Sequence, residues 1–249
     1  MTVFQAKLKK DKLLEIPENE RNLFIGLAHL QNEIRFSLYG VVWTHDFSSS
    51  NEAIVQAQIA FNFYYLRILA GKLHEGWQLL QKHFYSHQTL SIEFNSTGSE
   101  EACNALKELK KYFSKKNALS EIRNNLSFHY NPKDLLKQIK EMKDELDLYV
   151  SKENDANTLY YFAEALANWA VISKIDNPDN LNPLELIISE LTSIAKVFNT
   201  FNNLFMSFII NKYKPEIWEG VAVEITLENL MRFKDIHIPL FTDTSDGFI

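Results

Sequence analysis

The chain is expected to fold as an all-α helical bundle, and three observations carry that expectation. Only 7 of its 249 residues are Gly and 6 are Pro, too few turn-forming residues for a many-stranded β fold. Hydrophobic residues make up 46%, enough to bury a sizeable core in a chain of this length. Long stretches place apolar residues three and four apart, the period that lines one face of an α-helix.

The first helix is expected from about Glu18 to Trp43, where Leu23, Leu27, Leu30, Ile34, Leu38 and Val41 form one stripe. Asp46 to Ser50 ends it and offers an N-cap to the next. The second helix, about Asn51 to Phe84, is apolar on more than one side, which suits the middle of a bundle. Gly71 and Gly76 each cost it about 1 kcal/mol relative to Ala, so close backbone approach by a neighbouring helix, or a ligand, is expected there. Thr89 to Glu93 reads as a short extended piece and Asn95 to Ser99 as a turn. A third helix runs from Ser99 towards His129 with a break near Lys116-Asn117. The fourth opens on Asn131 as N-cap with Pro132 in the first helical position and reaches about Val150.

Ser151 to Asn157 is polar and reads as a linker, followed by helices over about Thr158 to Ile175 and Pro183 to Tyr213. Beyond Pro215 the period changes. Val221, Val223, Ile225 and Leu227 alternate with smaller or polar residues, and Ile236, Ile238 and Leu240 alternate again. A short terminal β-hairpin fits this pattern, and a further helix over Ile217 to Phe233 is the alternative. The organisation expected is a helical core over residues 1–150 with a helical C-terminal extension, 151–249, packed on it.

The single cysteine, Cys103, allows no intrachain disulfide, and Met1 to Leu14 has no signal-peptide apolar core. A cytoplasmic, reducing location is the expectation. The most apolar run, Val197 to Ile210, is broken by Asn199, Asn202 and Asn203 and is too short for a bilayer span, so no membrane partner is expected. Net charge is −6, which disfavours general nucleic-acid binding. Between Lys107 and Lys143, however, ten basic residues face only four acidic ones. That window is a pair of solvated lysine faces or a local phosphate-attracting surface.

Arg123-Asn124-Asn125-Leu126-Ser127-Phe128-His129 lies inside this window. A guanidinium and an imidazole held together can cleave RNA without a metal. The imidazole, with an ordinary pKa near ~6.5, takes the proton of a 2′-hydroxyl, while the guanidinium holds the charge growing on the phosphate. Arg-to-His spacings of this size also occur at Arg67–His74 and Arg232–His237, but there Ile68 and Phe233 follow the Arg. Only Arg123 is followed by a polar residue and leads into a capped helix junction. On one straight helix Arg123 and His129 would point about 120° apart with roughly 9 Å of rise between them, so sharing one phosphate needs a bend, a helix end or a second subunit.

Ile122-Arg-Asn-Asn-Leu-Ser-Phe-His-Tyr130 resembles the signature of the higher-eukaryote-and-prokaryote nucleotide-binding (HEPN) superfamily: Arg, a polar residue, a short spacer, then His. The resemblance spans roughly Glu18 to Val150. It implies a HEPN-like helical core and a metal-independent, cofactor-free endoribonuclease acting in defence or as a toxin, or a catalytically inactive relative that binds nucleotide, RNA or a protein such as an antitoxin. It also implies a homodimer that brings two motifs together. Arg123 would stabilise the phosphate transition state, His129 would act as general base or acid, and Asn124 would orient one of them or hold phosphate. Asn125, Tyr130 and Lys116 complete the candidate set as binding residues. Some toxins of the family carry a Tyr two residues after the His; here Tyr130 is one after and Asn131 takes the second place.

The other candidates are ordinary by comparison. His83 and His87 have a zinc-compatible spacing but no evident third ligand. Cys103 reads as an inert helix residue. Trp43, Trp77, Trp169 and Trp218 read as core anchors. The absence of a glycine-rich phosphate loop disfavours a P-loop nucleoside triphosphatase.

Overall fold

A computed structural model of the chain describes residues 1–123, 132–141, 145–152, 157–175, 182–213, 218–236, 238 and 241. The fold is all-α with one small sheet. In chain order the elements are β1 (Thr2–Leu8), α1 (Lys10–Glu15), α2 (Glu18–Trp43), α3 (Glu52–Leu80), a π turn (Gln81–Tyr85), α4 (Gln88–Thr97), α5 (Glu100–Phe113), α6 (Ala118–Ile122), α7 (Pro132–Glu141), α8 (Tyr161–Ile172), α9 (Pro183–Tyr213) and β2 (Trp218–Thr226). A short 3-10 turn, Phe233–Asp235, follows. The long helices α2, α3 and α9 lie where their apolar periods placed them.

Contacts divide the chain into two compact units, each drawing on segments from either side of residue 150. The first comprises Met1–Ile34, Lys72–Lys115 and Ser193–Phe233. Its centre is aromatic: Phe84, Phe94, Phe201 and Phe205 are fully buried. The Phe84 ring lies 5.4 Å from Phe94 and 6.1 Å from Phe201, both edge-on, the arrangement aromatic quadrupoles favour. Trp77 stacks on Phe113 with centroids 4.9 Å apart. Gly76 faces this core, and a Cβ there would run into Leu30 and lie 3.1 Å from the Phe198 ring. The space beside Gly76 is therefore filled by side chains of neighbouring helices rather than by the close backbone approach expected there.

Charges close the same unit at one end. Glu20 is only 5% exposed. The Lys212 ammonium reaches both its oxygens at 3.0 Å and Glu93 Oε2 at 2.6 Å, and the Tyr213 hydroxyl donates to Glu20 at 3.0 Å. Burial works against the Lys212 charge, but the two carboxylates outweigh it and hold its pKa above the ordinary 10.5. Burial, then the hydrogen bond to Glu20, pushes Tyr213 up to about 12, and burial alone does the same to Tyr85.

The sheet joins β1 to β2, antiparallel, with Val3 opposite Ile225 and Gln5 opposite Val223. The C-terminal strand is where the alternation of Val221, Val223 and Ile225 put it, and its partner is the N-terminal segment. Ile236 and Ile238 lie outside any strand.

The second unit comprises Arg35–Gly71, Lys116–Thr192 and Lys234–Ile249. Asn62 of α3, fully buried, donates to the Val41 carbonyl at 2.8 Å and to Thr44 Oγ1 at 3.1 Å, which satisfies the end of α2. Arg67 bonds Glu164 of α8 at 3.0 Å and Asn168 at 3.5 Å. Gln56 of α3 donates to Asp147 at 2.6 Å and accepts from the Tyr149 hydroxyl at 2.9 Å.

Two local expectations are corrected. Thr89 to Glu93 is not extended but belongs to α4, because Leu90 and Phe94, one turn apart, are both fully buried, and tertiary burial overrides weak local propensity. The fourth helix is described over Pro132–Glu141 and does not reach Val150, since residues 145–150 are not helical. Leu146, Leu148 and Val150 alternate with polar or half-buried residues, and Tyr149 exchanges backbone hydrogen bonds with Leu159 at 3.0 and 2.8 Å. Period two and the Gln56 anchors favour extended chain there.

Lys212→Met strands the buried Glu20 charge and is expected to cost about 3–5 kcal/mol in urea unfolding, with most of that recovered in the Glu20→Gln/Lys212→Met double variant. The raised pKa values of Tyr85, Tyr213 and Lys212 set an alkaline limit. Each group's folded pKa exceeds its unfolded one; the tyrosine contributions are complete below about pH 10 and lost as pH rises towards 12, and that of Lys212 is complete below its ordinary 10.5 and lost above it. A urea midpoint constant across that range in the wild type, or unaffected by Tyr85→Phe and Tyr213→Phe, contradicts this.

Candidate functional site

The described part of the candidate site is built on α6. α5 ends at Phe113, and the chain turns through Ser114–Asn117. Asn117 caps α6 by accepting from the Ser120 N–H at 2.8 Å. A carboxylate from α9, Glu190, accepts from the Ala118 N–H at 2.9 Å. The helix's first-turn donors thus meet an amide oxygen and an anion, as its positive end requires. Ala118, Leu119 and Ile122 are buried, so this five-residue helix is held by packing on one side and by its caps at the start.

Arg123 follows directly. Its backbone is helical, φ −61° and ψ −46°, its N–H bonds the Leu119 and Ser120 carbonyls, and the residue is half-buried. Lys116 sits at the other end of α6, with its side chain 64% exposed and its ammonium 3.7 Å from Glu121. A cleft of about 110 Å³ lies beside it, lined by Lys116, Glu121, Lys174 and Glu190 with Asn117 and Ala118. Two cations and two anions make this cleft neutral. Of the remaining candidates, Asn124, Asn125, His129 and Tyr130 lie outside the described residues, as does the expected cap Asn131. The structure therefore places Arg123 and Lys116 at opposite ends of α6. Pro132 is the first residue of α7, as its capping logic requires.

Basic residues of the same window are partly matched by acids close at hand. Lys137 lies 3.8 Å from Glu141 on α7, both well exposed. Such pairs stabilise little and leave their charges available to solvent. Leu136 and Ile139 are also exposed on α7.

The competing Arg-to-His spacings take other roles. Arg67 is the structural bridge to α8 described above, and His237 lies outside the described residues. His87 is the N-cap of α4, its Nδ1 accepting from the Leu90 N–H at 3.3 Å. Among the described residues no group of three or more His, Cys, Asp or Glu could hold a metal ion, and no helix is long and apolar enough to cross a membrane. Cys103 is half-buried on α5. Trp77 is the core anchor expected, but Trp169 is 50% exposed on α8, which corrects the expectation for that residue.

Periodicity did not reveal two polar clusters. One is Lys212 with Glu20, Glu93 and Tyr213. The other surrounds Gln56, where burial first, then the charges of Asp147 and Glu52, raises Tyr149 and Tyr161 above the ordinary 10. Both join residues distant in sequence, and the only local sign was a lysine in the last turn of α9.

Comparison of the chain with protein-family models, with curated proteins and with solved structures finds no match.

Removing the Glu190 carboxylate should loosen the start of α6. Glu190→Ala is expected to cost about 1 kcal/mol and to speed hydrogen exchange at the Ala118 amide, while Glu190→Gln preserves most of the protection. Unchanged exchange in the alanine variant would show that the cap contributes nothing.

Proposed function

We propose that the chain is a metal-independent endoribonuclease of the HEPN kind, acting as a dimer of identical chains. The observation that carries this reading is the run Arg123-Asn124-x4-His129 in the most basic window of an acidic protein. The anchored α6 supports it, because a residue that stabilises developing charge works best from a rigid base. In the reaction, His129 takes the proton of a ribose 2′-hydroxyl and that oxygen attacks the adjacent phosphorus. The bond to the 5′-oxygen breaks, leaving a cyclic phosphate and, once that oxygen is protonated, a 5′-hydroxyl end. Arg123 holds the extra negative charge of the transition state, and Asn124 orients it or binds phosphate.

Arg123→Ala and His129→Ala are each expected to lower cleavage of RNA in chelator-containing buffer by about 10²-fold or more. If both variants cut like the parent, the assignment is wrong. If the parent binds RNA or nucleotide without cutting it, the chain is the non-catalytic binding module of the same kind.

A further inference from the structure

The first unit contains an open cleft of about 400 Å³ between α4, the start of α5 and the last turns of α9. This volume falls in the range of small-molecule sites. Its apolar wall includes Leu204 and Phe208, both half-buried. The Phe208 ring is held 5.2 Å from Phe94 and 6.0 Å from Phe205, so its exposed part is a fixed aromatic surface.

The polar wall carries few donors beyond the Ser99 hydroxyl, whose oxygen accepts from the Ala102 N–H at 3.2 Å. Lys212 directs hydrogen bonds to three carboxylate oxygens, two on Glu20 and one on Glu93. Thr97 donates its hydroxyl proton to the Glu93 carbonyl at 2.8 Å, and Ser207 donates its own to the Asn203 carbonyl at 3.0 Å. What these hydroxyls turn to a ligand is lone pairs. Glu93 Oε2 takes Lys212, and Oε1 accepts no hydrogen bond among the described residues. The charges of Glu20, Glu93 and Lys212 leave one negative in excess. α4 ends at Thr97 with the negative end of its dipole at the cleft, and the positive end of α5, which starts there, is answered by Glu100 and Glu101 in its own first turn. Asn211, also on the wall, can donate or accept.

We propose that this cleft binds a small organic cation, a primary ammonium on an apolar stem. The ammonium donates to Glu93 Oε1 and to the Thr97 and Ser207 hydroxyl oxygens, and the stem lies against Phe208 and Leu204. An anion meets the excess negative charge, and a neutral apolar molecule leaves the Glu93 oxygen desolvated without a partner. The geometry is independent of the ribonuclease reading, since none of these residues belongs to the motif.

The test is calorimetric titration of the full chain with 2-phenylethylammonium, with 2-phenylethanol as the neutral match. The ammonium is expected to bind at least about tenfold more tightly than the alcohol, the difference of one charge-assisted hydrogen bond. Glu93→Gln, which can still accept from Lys212, should weaken the ammonium by a similar factor. Ser207→Trp, at an exposed position that leaves the Glu20–Lys212–Glu93 bonds in place, should abolish binding by filling the cleft. No heat at millimolar ammonium, equal affinity for ammonium and alcohol, or binding that survives Ser207→Trp each overturns the proposal.

Discussion

Burial of the α9 stripe is the constraint on which most of the structure depends. Ile187, Leu191, Ile194, Phe198, Phe201, Phe205 and Ile209 recur at three- and four-residue steps and are buried along the whole helix. One helix therefore supplies apolar side chains to both compact units. The polar residues of α9 are used as carefully. Glu190 caps α6, Asn202 is fully buried and donates to Gln31 at 3.0 Å, and Lys212 neutralises Glu20. Each lies within or beside the apolar stripe, so the burial that stabilises the helix also fixes where its polar atoms go.

The fold was largely legible because long helices advertise themselves. α2 and α9 carry unbroken stripes over many turns, and their ends coincide with a polar turn and a proline. α4 was not legible: ten residues rich in Ser and Thr offer only Leu90 and Phe94 as a helical signal, and what decides the matter is the phenylalanine cluster waiting for them. The strand β2 was visible by alternation, but β1 was not. Val3 and Ile225 are separated by most of the chain, and period alone says nothing about such a partner. The Lys212 bonds to Glu20 and Glu93 were illegible for the same reason.

The candidate site residues were picked out by residue type and spacing, and the structure bears on the geometry of Arg123 and Lys116 alone. Arg and His with a polar neighbour motivate the proposal of phosphoryl chemistry by residue type alone. Sequence could not say that α6 would be only five residues long, or that a carboxylate from α9 would sit on its first amide. Lys116, chosen for its charge, also carries a nearby acid in Glu121. An exposed pair of this kind is screened by salt and easily parted. Glu190, bonded to a backbone amide beside buried side chains, is a structural anion.

The pairing of β1 with β2 also bears on how the molecule comes to be made. The first strand leaves the ribosome about two hundred residues ahead of its mate. At roughly 5–20 residues per second it remains unpaired for roughly ten to forty seconds of synthesis. For a flexible chain, closing so large a loop costs about 3–4 kcal/mol more entropy than closing a tight hairpin. The ladder is therefore a late event that relies on the helices to bring its two halves together, and until then a short strand carrying Val3 and Phe4 is open to other nascent chains.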